Sequence, residues 1–501
     1  MSAVIETHPR QPAAGAQATP LAVGAPGRPV AFGAGGSVAQ ADFVAEATAL
    51  AALLPDRPYA VNLCEHRYAF LVAFAAAMLR GQTTLLPPSR TRHAIDEVRA
   101  HHPDSYCLGD SDAAGYEAIA PLPQYLRLPD PLPRAAHGGD MPQVAGDATV
   151  AIGYTSGSTG APKANHKTWR SFAASTAQNM AALADLLPAG ATAHIVATVP
   201  PQHMYGMEMS VLLPLVGGVA VHDARPFFPV DIAAALAAAP LPPLLVTTPV
   251  HLRALVESGI ALPPLAGIVA STAALPVELA VAAETRFGCE VRELFGSTET
   301  CILARRRTAC EEEWTLLPGV ELLPRPDRTM VHAAHLATAV ALADIVELRP
   351  GGRFRLCGRQ SDLLEIAGKR ASLGDLTRRL LAIPGVVDAA LLQLDPDAFG
   401  VRRLAAAVVA PGLDEAAILA ALRQAVDPVF LPRPLRLVTA LPRNETGKLP
   451  REALLALLQH GGAWAPPQGL AATQSSRDPR ETAPAPSLFT GSAPVTTWRI
   501  E

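Results

Sequence analysis

The sequence predicts an α/β fold, with a large N-terminal layered α/β domain of mostly parallel sheets and a small C-terminal α+β domain. From about residue 30 to residue 356, short apolar segments alternate with alanine-rich segments of helical length, which is typical of mainly parallel α/β layers. A second, shorter set of elements begins near Cys357. Half of the residues are hydrophobic but only 5% are aromatic, so we expect a core of Ala, Leu and Val, which suits helices packed on sheets.

The large domain is expected to begin with two helices and a strand. These cover residues 41–54, 67–79 and 83–87. Further along, short apolar segments separated by helical stretches predict buried strands. They cover residues 192–199, 219–221, 244–248, 267–270 and 290–295.

The small domain is expected to hold five elements in about 100 residues. Its helices are predicted over residues 373–381, 414–426 and 449–458, and its strands over residues 386–392 and 404–409. The composition then changes abruptly to Gly, Ala, Pro, Ser, Thr and Gln. The predicted division of the chain is a flexible leader (1–29), a large domain (30–357), a small domain (358–460) and a flexible tail rich in Pro, Ala and Ser (461–501).

The composition argues against several classes of protein. The 501 residues include 41 basic and 45 acidic ones, and this balance does not predict a nucleic-acid-binding protein. Six scattered cysteines without a Cys-x-x-Cys pair predict reduced thiols in a cytoplasmic protein rather than a zinc site. No signal peptide is expected at the N-terminus. The stretch 232–250 contains four prolines, so no membrane-spanning helix is expected there either.

The most informative segment is residues 151–163, Ala-Ile-Gly-Tyr-Thr-Ser-Gly-Ser-Thr-Gly-Ala-Pro-Lys. An apolar strand runs into a loop that mixes hydroxyl side chains with glycines and ends with a lysine. Glycine lets backbone N–H groups point at an anion, hydroxyls add neutral donors and lysine adds charge, so this loop suits a polyphosphate. The spacing is not that of a Walker A loop. The candidate phosphate-binding residues are Thr155, Ser156, Gly157, Ser158, Thr159, Gly160 and Lys163.

Residues 155–163 resemble the phosphate loop of the adenylate-forming superfamily. That superfamily includes acyl-CoA synthetases, aryl-acid and coumarate ligases, luciferases and the adenylation domains of peptide synthetases. Further segments follow in the family's order, so the resemblance covers roughly 85% of the chain, from about Val30 to Leu458. It implies ATP and Mg²⁺ as cofactors, a mobile small domain, and CoA or a phosphopantetheine-bearing acyl carrier protein as the acceptor.

Two segments imply contacts with the acid and the adenine. Residues 200–206, Pro-Pro-Gln-His-Met-Tyr-Gly, are similar to the family segment in which a histidine or aromatic residue lies beside the carboxylate of the acid. The resemblance therefore assigns that position to His203. Residues 270–276 stand where the family has a small-residue loop against the adenine, which implies a contact from Ala273.

Residues 294–299, Leu-Phe-Gly-Ser-Thr-Glu, resemble the family's Tyr-Gly-x-Thr-Glu segment. The resemblance implies that Phe295 and Gly296 contact the adenine, that Thr298 binds phosphate and that Glu299 holds Mg²⁺. Phenylalanine in place of tyrosine loses a hydrogen bond but keeps a face for stacking.

The region that joins the two predicted domains departs from the family pattern. Asp344 stands where the family aspartate binds both ribose hydroxyls, although Thr-Gly-Asp has become Leu-Ala-Asp. The resemblance gives Arg359 a ribose or phosphate contact. Ser361 stands at the hinge position, Glu365 replaces a lysine, and Gly368 matches the glycine that leaves room for a pantetheine arm.

Residues 441–451, Leu-Pro-Arg-Asn-Glu-Thr-Gly-Lys-Leu-Pro-Arg, resemble the family's C-terminal catalytic loop. A lysine on such a loop can enter a closed site and neutralise charge between the carboxylate and the α-phosphate. The resemblance therefore assigns a catalytic role to Lys448.

The sequence thus predicts an ATP-dependent acid–thiol ligase that releases AMP and pyrophosphate. No aspartate lies near residues 202–206 to bind an ammonium group, which favours an acid without an α-amino group. A small aromatic acid is weakly favoured over a fatty acid. A non-catalytic relative that binds nucleotide or a carrier protein is the alternative from another class.

Overall fold

The predicted α/β class is confirmed by the computed structural model, in which helices flank two large sheets, one mostly parallel and one with equal numbers of parallel and antiparallel strand pairs. The structure describes residues 18–111, 124–136, 139–155, 163–326, 328–359, 363–366, 369–395, 403–444 and 447–460. Among these residues, none of the helices has both the length and the apolar character needed to cross a membrane.

The first part of the described chain alternates short strands with three helices. The strands are β1 (Ala18–Pro20), β2 (Pro29–Gly33), β3 (Gly36–Ala39), β4 (Tyr59–Asn62), β5 (Thr83–Leu86), β6 (Ser105–Gly109), β7 (Tyr125–Arg127), β8 (Gln143–Ala145) and β9 (Thr149–Thr155). The helices are α1 (Gln40–Leu53), α2 (Arg67–Leu79) and α3 (Arg92–Ala100).

The middle part supplies most of the parallel strands. Its strands are β10 (Lys163–Thr168), β11 (His194–Ala197), β12 (Ala220–His222), β13 (Leu244–Thr247), β14 (Gly267–Ala270) and β15 (Val291–Ser297). Its helices are α4 (Trp169–Leu183), α5 (Met204–Met207), α6 (Leu213–Val216), α7 (Pro229–Ala237), α8 (Pro249–Glu257) and α9 (Val277–Phe287). A π-helical turn, Glu208–Leu212, joins α5 to α6.

The last part is richer in antiparallel pairs. Its strands are β16 (Cys301–Arg306), β17 (Trp314–Leu316), β18 (Val320–Pro324), β19 (Thr329–Ala333), β20 (Val340–Ala341), β21 (Asp344–Arg349), β22 (Arg353–Arg359), β23 (Leu363–Ile366), β24 (Lys369–Ser372), β25 (Asp388–Gln393), β26 (Leu404–Val409) and β27 (Leu435–Leu437). Its helices are α10 (Leu373–Leu381), α11 (Glu415–Ala425) and α12 (Arg451–His460), with a 3₁₀ turn at Pro428–Phe430.

The two large sheets have parallel strands in the middle and antiparallel strands at one or both ends. One has the strand order β10-β9-β5-β4-β6-β7, and the other β21-β22-β17-β16-β15-β14-β13-β11-β12-β2-β3. Every residue of β11, β13 and β14 is buried. Strands that are apolar on both faces need helices on both sides of the sheet, which explains their short, continuous hydrophobic sequences.

Local sequence sets several helix boundaries. Thr248 caps α8 by accepting a hydrogen bond from the backbone N–H of His251, and proline occupies the first turn, where its missing N–H costs nothing. Ser372 caps α10 in the same way, and α9 ends at Gly288 with φ +66°. Four predicted elements, α2, α10, β14 and β26, begin and end at the predicted residues.

The buried apolar residues form separate clusters along the chain. The clusters of the first part draw on residues between Leu21 and Phe354, while two others draw on residues between Leu364 and Leu458. Part of the predicted 1–29 leader belongs to this core. Leu21 is fully buried, and its N–H donates to the carbonyl of Pro142.

Candidate active site

The predicted site residues follow the carboxyl ends of parallel strands. Thr155 ends β9, and Phe295 and Gly296 lie near the end of β15. Ala273 follows β14, and His203 follows β11. Because loops at the carboxyl ends of parallel strands lie on one edge of a sheet, this arrangement gathers the residues that follow β11, β14 and β15, while Thr155 belongs to the other large sheet.

The phosphate-loop segment is anchored by a strand pair. Thr155 and Lys163 are partners in the antiparallel pair of β9 with β10, and Lys163 is exposed. The strand β10, which follows the loop directly, was not among the predicted elements. Five of the predicted loop residues lie outside the part of the chain that the structure describes: Ser156, Gly157, Ser158, Thr159 and Gly160.

The turn between β15 and β16 brings the predicted metal ligand to this loop. The Thr155 hydroxyl donates to Glu299 Oε1 at 3.3 Å. Thr298 packs directly over Gly153, where an added Cβ would lie 2.7 Å from the threonine Cγ2. Gly296 is equally constrained, because a Cβ there would collide with the carbonyl oxygen of Cys301.

The arrangement around Glu299 fits a nucleotide-bound Mg²⁺ rather than a metal caged by protein. Within the described ranges, no group of three or more His, Cys, Asp or Glu side chains could hold a metal ion. Glu299 is partly exposed and offers one carboxylate. Mg²⁺ in such sites uses one or two carboxylates together with phosphate oxygens and water, so a single glutamate beside the phosphate loop is a suitable donor set.

Phe295 belongs to an aromatic cluster. Its ring centroid lies 5.4 Å from that of Trp314 and 5.8 Å from that of Phe354. The guanidinium of Arg306 lies 4.5 Å from the Trp314 ring, a cation–π contact. Phe295 remains partly exposed, so these contacts fix the ring without covering it.

The two residues predicted to bind ribose are brought together by strand register. Asp344 is the first residue of β21, Arg359 is the last of β22, and the two are direct partners in the antiparallel pair. Two residues 15 positions apart in the sequence therefore become cross-strand neighbours. Ser361 and Gly368 lie outside the described residues.

The C-terminal loop lies against α8 and the segment that follows β14. An added Cβ on Gly447 would lie 3.0 Å from Val250 Cγ2 and 3.7 Å from the Cβ of Ala273. Burial and, to a smaller extent, the nearby charge of Lys448 together lower the pKa of His203 to about 3. The structure thus brings His203 and Lys448, which are 245 positions apart in the sequence, into one neighbourhood.

Backbone and side-chain hydrogen bonds hold this loop in shape. The Lys448 N–H donates to Asn444 Oδ1 at 2.9 Å, and Arg443 donates to the Gly447 carbonyl at 2.8 Å. Arg443 also forms a two-pronged ion pair with Asp388 of β25, at 2.7 and 3.0 Å. Such a bidentate pair fixes orientation as well as position.

Two residues near His203 have structural partners. The Tyr205 hydroxyl donates to the Val269 carbonyl at 3.0 Å, so this residue packs into the sheet instead of adding a polar group to the pocket. Glu208 is buried and accepts hydrogen bonds from Ser175, Asn179 and the N–H of Ile302. Burial raises the pKa of this carboxyl above its usual value.

Sequence reasoning missed Lys167, which is 4% exposed. Its Nζ donates to the backbone carbonyl of Glu299 at 3.0 Å. His335 was also missed, and its Nε2 lies 2.7 Å from the carbonyl oxygen of Thr300 in the same turn. Only the rarity of lysine, four among the 41 basic residues, distinguished Lys167 in the sequence.

Comparison with known proteins agrees with this geometry. Residues 59–331 match the family described as AMP-binding enzyme. The chain is 31% identical over 324 residues to a 4-coumarate–CoA ligase of Halorhodospira halophila. The aligned region covers 62% of this chain and 78% of that protein. A shorter region of 124 residues is 30% identical to the medium/long-chain-fatty-acid acyl-carrier-protein ligase FadD10 of Mycobacterium tuberculosis. It covers 23% of this chain and 23% of that protein.

The fold also matches solved structures. The ATP-bound MatB structure from Rhodopseudomonas palustris superposes with a TM-score of 0.73 at 21% identity, covering 86% of this chain and 95% of that one. The family match covers more than half of the chain, and it includes the strands that carry Thr155, Phe295 and Gly296. The chain therefore belongs to the AMP-binding enzyme family, as the residues of its phosphate loop predicted.

Proposed function

We propose that the protein is an AMP-forming acid–thiol ligase. It adenylates a carboxylic acid with ATP and then transfers the acyl group to a pantetheine thiol. The observation that carries this proposal is the approach of the Lys448 loop to His203 and Ala273, on the same edge at which Thr155 meets Glu299. A reaction between a carboxylate and an α-phosphate needs cationic and hydrogen-bonding groups at this junction.

In the first step, a carboxylate oxygen attacks the α-phosphorus, and the bond to pyrophosphate breaks. His203 Nδ1 accepts a hydrogen bond from the N–H of Tyr205 at 3.3 Å, so the proton of the neutral ring lies on Nε2. That N–H can donate to the acid. Because the pKa of His203 is about 3, the ring stays neutral at physiological pH and holds the acid by a hydrogen bond rather than by charge.

The other residues orient ATP and offset its charge. Thr155, Lys163 and the loop between them would bind the phosphates, Phe295 and Ala273 would contact the adenine, and Asp344 with Arg359 would bind the ribose. Glu299 would hold Mg²⁺, and the bound cation would offset the negative charge of the phosphates. Lys448 would neutralise charge that develops between the carboxylate and the α-phosphate, and Thr298 would bind a phosphate oxygen.

In the second step, a pantetheine thiol loses its proton, its sulfur bonds to the acyl carbon, and AMP leaves. Lys448 is not needed once the acyl-AMP has formed. We propose that residues 358–460 rotate about Ser361 between the steps, which withdraws Lys448 and brings Gly368 to the site.

The proposed substrate is a small aromatic acid. The similarity to a 4-coumarate–CoA ligase supports this choice, and the structural partners of Glu208 argue against its binding an amino acid's ammonium group. The proposed acceptor is CoA or an acyl carrier protein. The similarity to FadD10 supports the carrier protein over a shorter segment.

The test is acid-dependent hydroxamate formation across a panel of aryl, short-chain and long-chain acids, with AMP and pyrophosphate measured in parallel. We expect the highest rate with an aryl acid. A preference for long-chain acids would overturn the substrate proposal. ATP binding without release of pyrophosphate for any acid would favour a non-catalytic binding protein instead.

The same assay separates the two steps through Lys448→Ala. We expect this variant to lose acid-dependent pyrophosphate exchange by roughly 10²–10³-fold, as for loss of one oxyanion donor, and to keep thiolation of preformed acyl-AMP. Equal loss of both steps would refute the division of labour proposed for Lys448.

A further inference from the structure

Lys167 is a buried lysine without a role in the proposed reaction. Its side chain is 4% exposed, and burying an ammonium group is costly unless it is paired. The chain uses arginine at nearly every other basic position, with four lysines in 501 residues. The contacts of Lys167 must therefore explain why a lysine is buried at this position.

The contacts of Lys167 lead to the turn that carries the predicted metal ligand. Nζ donates to the Glu299 carbonyl oxygen at 3.0 Å. The same turn is held on its other side by His335, whose Nε2 lies 2.7 Å from the Thr300 carbonyl oxygen. A backbone carbonyl that is fixed in this way fixes the direction in which the Glu299 side chain leaves the turn.

A second buried titratable group, Glu208, lies near Lys167 behind the turn. Glu208 is 1% exposed, and Lys167 is among the groups that favour its charged form. Glu208 in turn accepts from Ser175 Oγ at 2.7 Å and from the N–H of Ile302 at 3.2 Å. Ile302 is the second residue of β16, so Glu208 also braces the strand that leaves the turn.

Lys167 also belongs to the phosphate-loop hairpin. It lies on β10, four residues after Lys163, and pairs with Ala151 of β9. One side chain therefore connects the strand that leaves the phosphate loop with the backbone of Glu299. The Thr155 hydroxyl makes the second connection between the same two segments, to the Glu299 carboxylate at 3.3 Å.

We infer that Lys167 is a positioning residue that holds the Glu299 turn at a fixed distance from the phosphate loop, and so sets the affinity for Mg·ATP without touching it. This inference rests on the proposed function of the site. We therefore expect Lys167 to affect the Mg²⁺-dependent part of ATP binding and not the binding of the acid or the thiol.

The test compares Lys167→Met, which keeps the length and apolar stem of the side chain, with Ser175→Ala as the matched control. Ser175→Ala removes a hydrogen bond to Glu208 in the same buried cluster and leaves the bond from Lys167 to the Glu299 carbonyl in place. ATP binding is measured by calorimetry with and without Mg²⁺, and KM values for ATP and for the acid are measured beside thermal unfolding.

We expect Lys167→Met to weaken ATP binding in Mg²⁺ at least tenfold, to change Mg²⁺-free binding less than twofold, and to leave the KM of the acid unchanged. Ser175→Ala should lower the melting temperature without changing the effect of Mg²⁺ on ATP binding. A lower melting temperature for Lys167→Met with a normal effect of Mg²⁺ would overturn the inference, because Lys167 would then be structural only.

A second variant covers the case in which Lys167→Met does not fold. Lys167→Gln keeps a neutral donor, and we expect a smaller loss in the same direction. An unchanged effect of Mg²⁺ in a folded Lys167→Gln protein would also overturn the inference. Because these binding measurements need no turnover, they are read independently of whether the wild-type protein adenylates an acid.

Discussion

At the scale of single residues, the surroundings of His203 determine the protonation state of its ring. Its ring accepts from one backbone N–H, lies beside the Lys448 charge, and has a pKa lowered to about 3. The unfolded chain binds a proton here near the ordinary pKa of about 6.5. The group's contribution to stability is therefore complete above about pH 6.5 and is lost as the pH falls towards 3.

His203→Ala should therefore flatten the loss of melting temperature between pH 7 and pH 5, and should raise the KM of the acid roughly tenfold or more, because a hydrogen bond to a charged group is removed. The exposed His101 gives the control variant, His101→Ala. An activity limb near pH 6.5 that disappears in His203→Ala would contradict the neutral assignment.

The sequence identifies candidate residues that stand in recognisable segments, and it misses residues whose contacts depend on burial. Phe295, Glu299 and Lys448 were selected because they stand in recognisable segments. Lys167 escaped because nothing in the neighbouring residues indicates that its side chain is buried against a turn more than 130 positions away.

At the scale of elements, the close approach of β9 to the turn after β15 depends on one missing side chain. An added Cβ at Gly153 would lie 2.7 Å from Thr298 Cγ2 and 3.0 Å from Met204 Cε, so the turn would have to move away from the phosphate loop.

Gly153→Ala should accordingly raise the KM of ATP by about five- to tenfold, an energetic cost of about 1 kcal/mol, and lower the melting temperature by a few degrees. Gly35→Ala is the matched control, because a Cβ there meets nothing within 4 Å. Equal KM values in the two variants would mean that the turn does not depend on this contact.

The helix α2 and buried strands such as β14 were predicted well because their sequences are almost continuously apolar. The strand β10 was not expected, since its sequence Lys-Ala-Asn-His-Lys-Thr is polar and lacks regular alternation. It forms because it pairs with β9 over its whole length, a tertiary effect that overrides weak strand propensity.

At the scale of the whole molecule, the C-terminal loop and the helix α8 come into contact at Gly447. This residue has φ +78°, a conformation that L side chains rarely adopt, and Val250 Cγ2 lies 3.0 Å from the position of an added Cβ. Both constraints apply in the arrangement that brings Lys448 to His203.

Gly447→Ala should slow acid-dependent pyrophosphate exchange about tenfold, the effect of about 1.4 kcal/mol. Val250→Ala should be nearly silent alone and should restore part of the loss in the double variant, because it removes the steric contact but not the backbone cost. Thiolation of preformed acyl-AMP should be unaffected by either change. No recovery in the double variant would mean that backbone conformation alone sets the penalty.

The pairing of Thr155 with Lys163 has a thermodynamic consequence. A seven-residue connection whose ends are already held by a strand pair can adopt fewer conformations than the same residues in an open chain. Less conformational entropy is then lost when an anion orders the connection. If the loop binds phosphate as proposed, the hairpin would lower the entropic penalty below what a sequence built largely from glycine, serine and threonine implies.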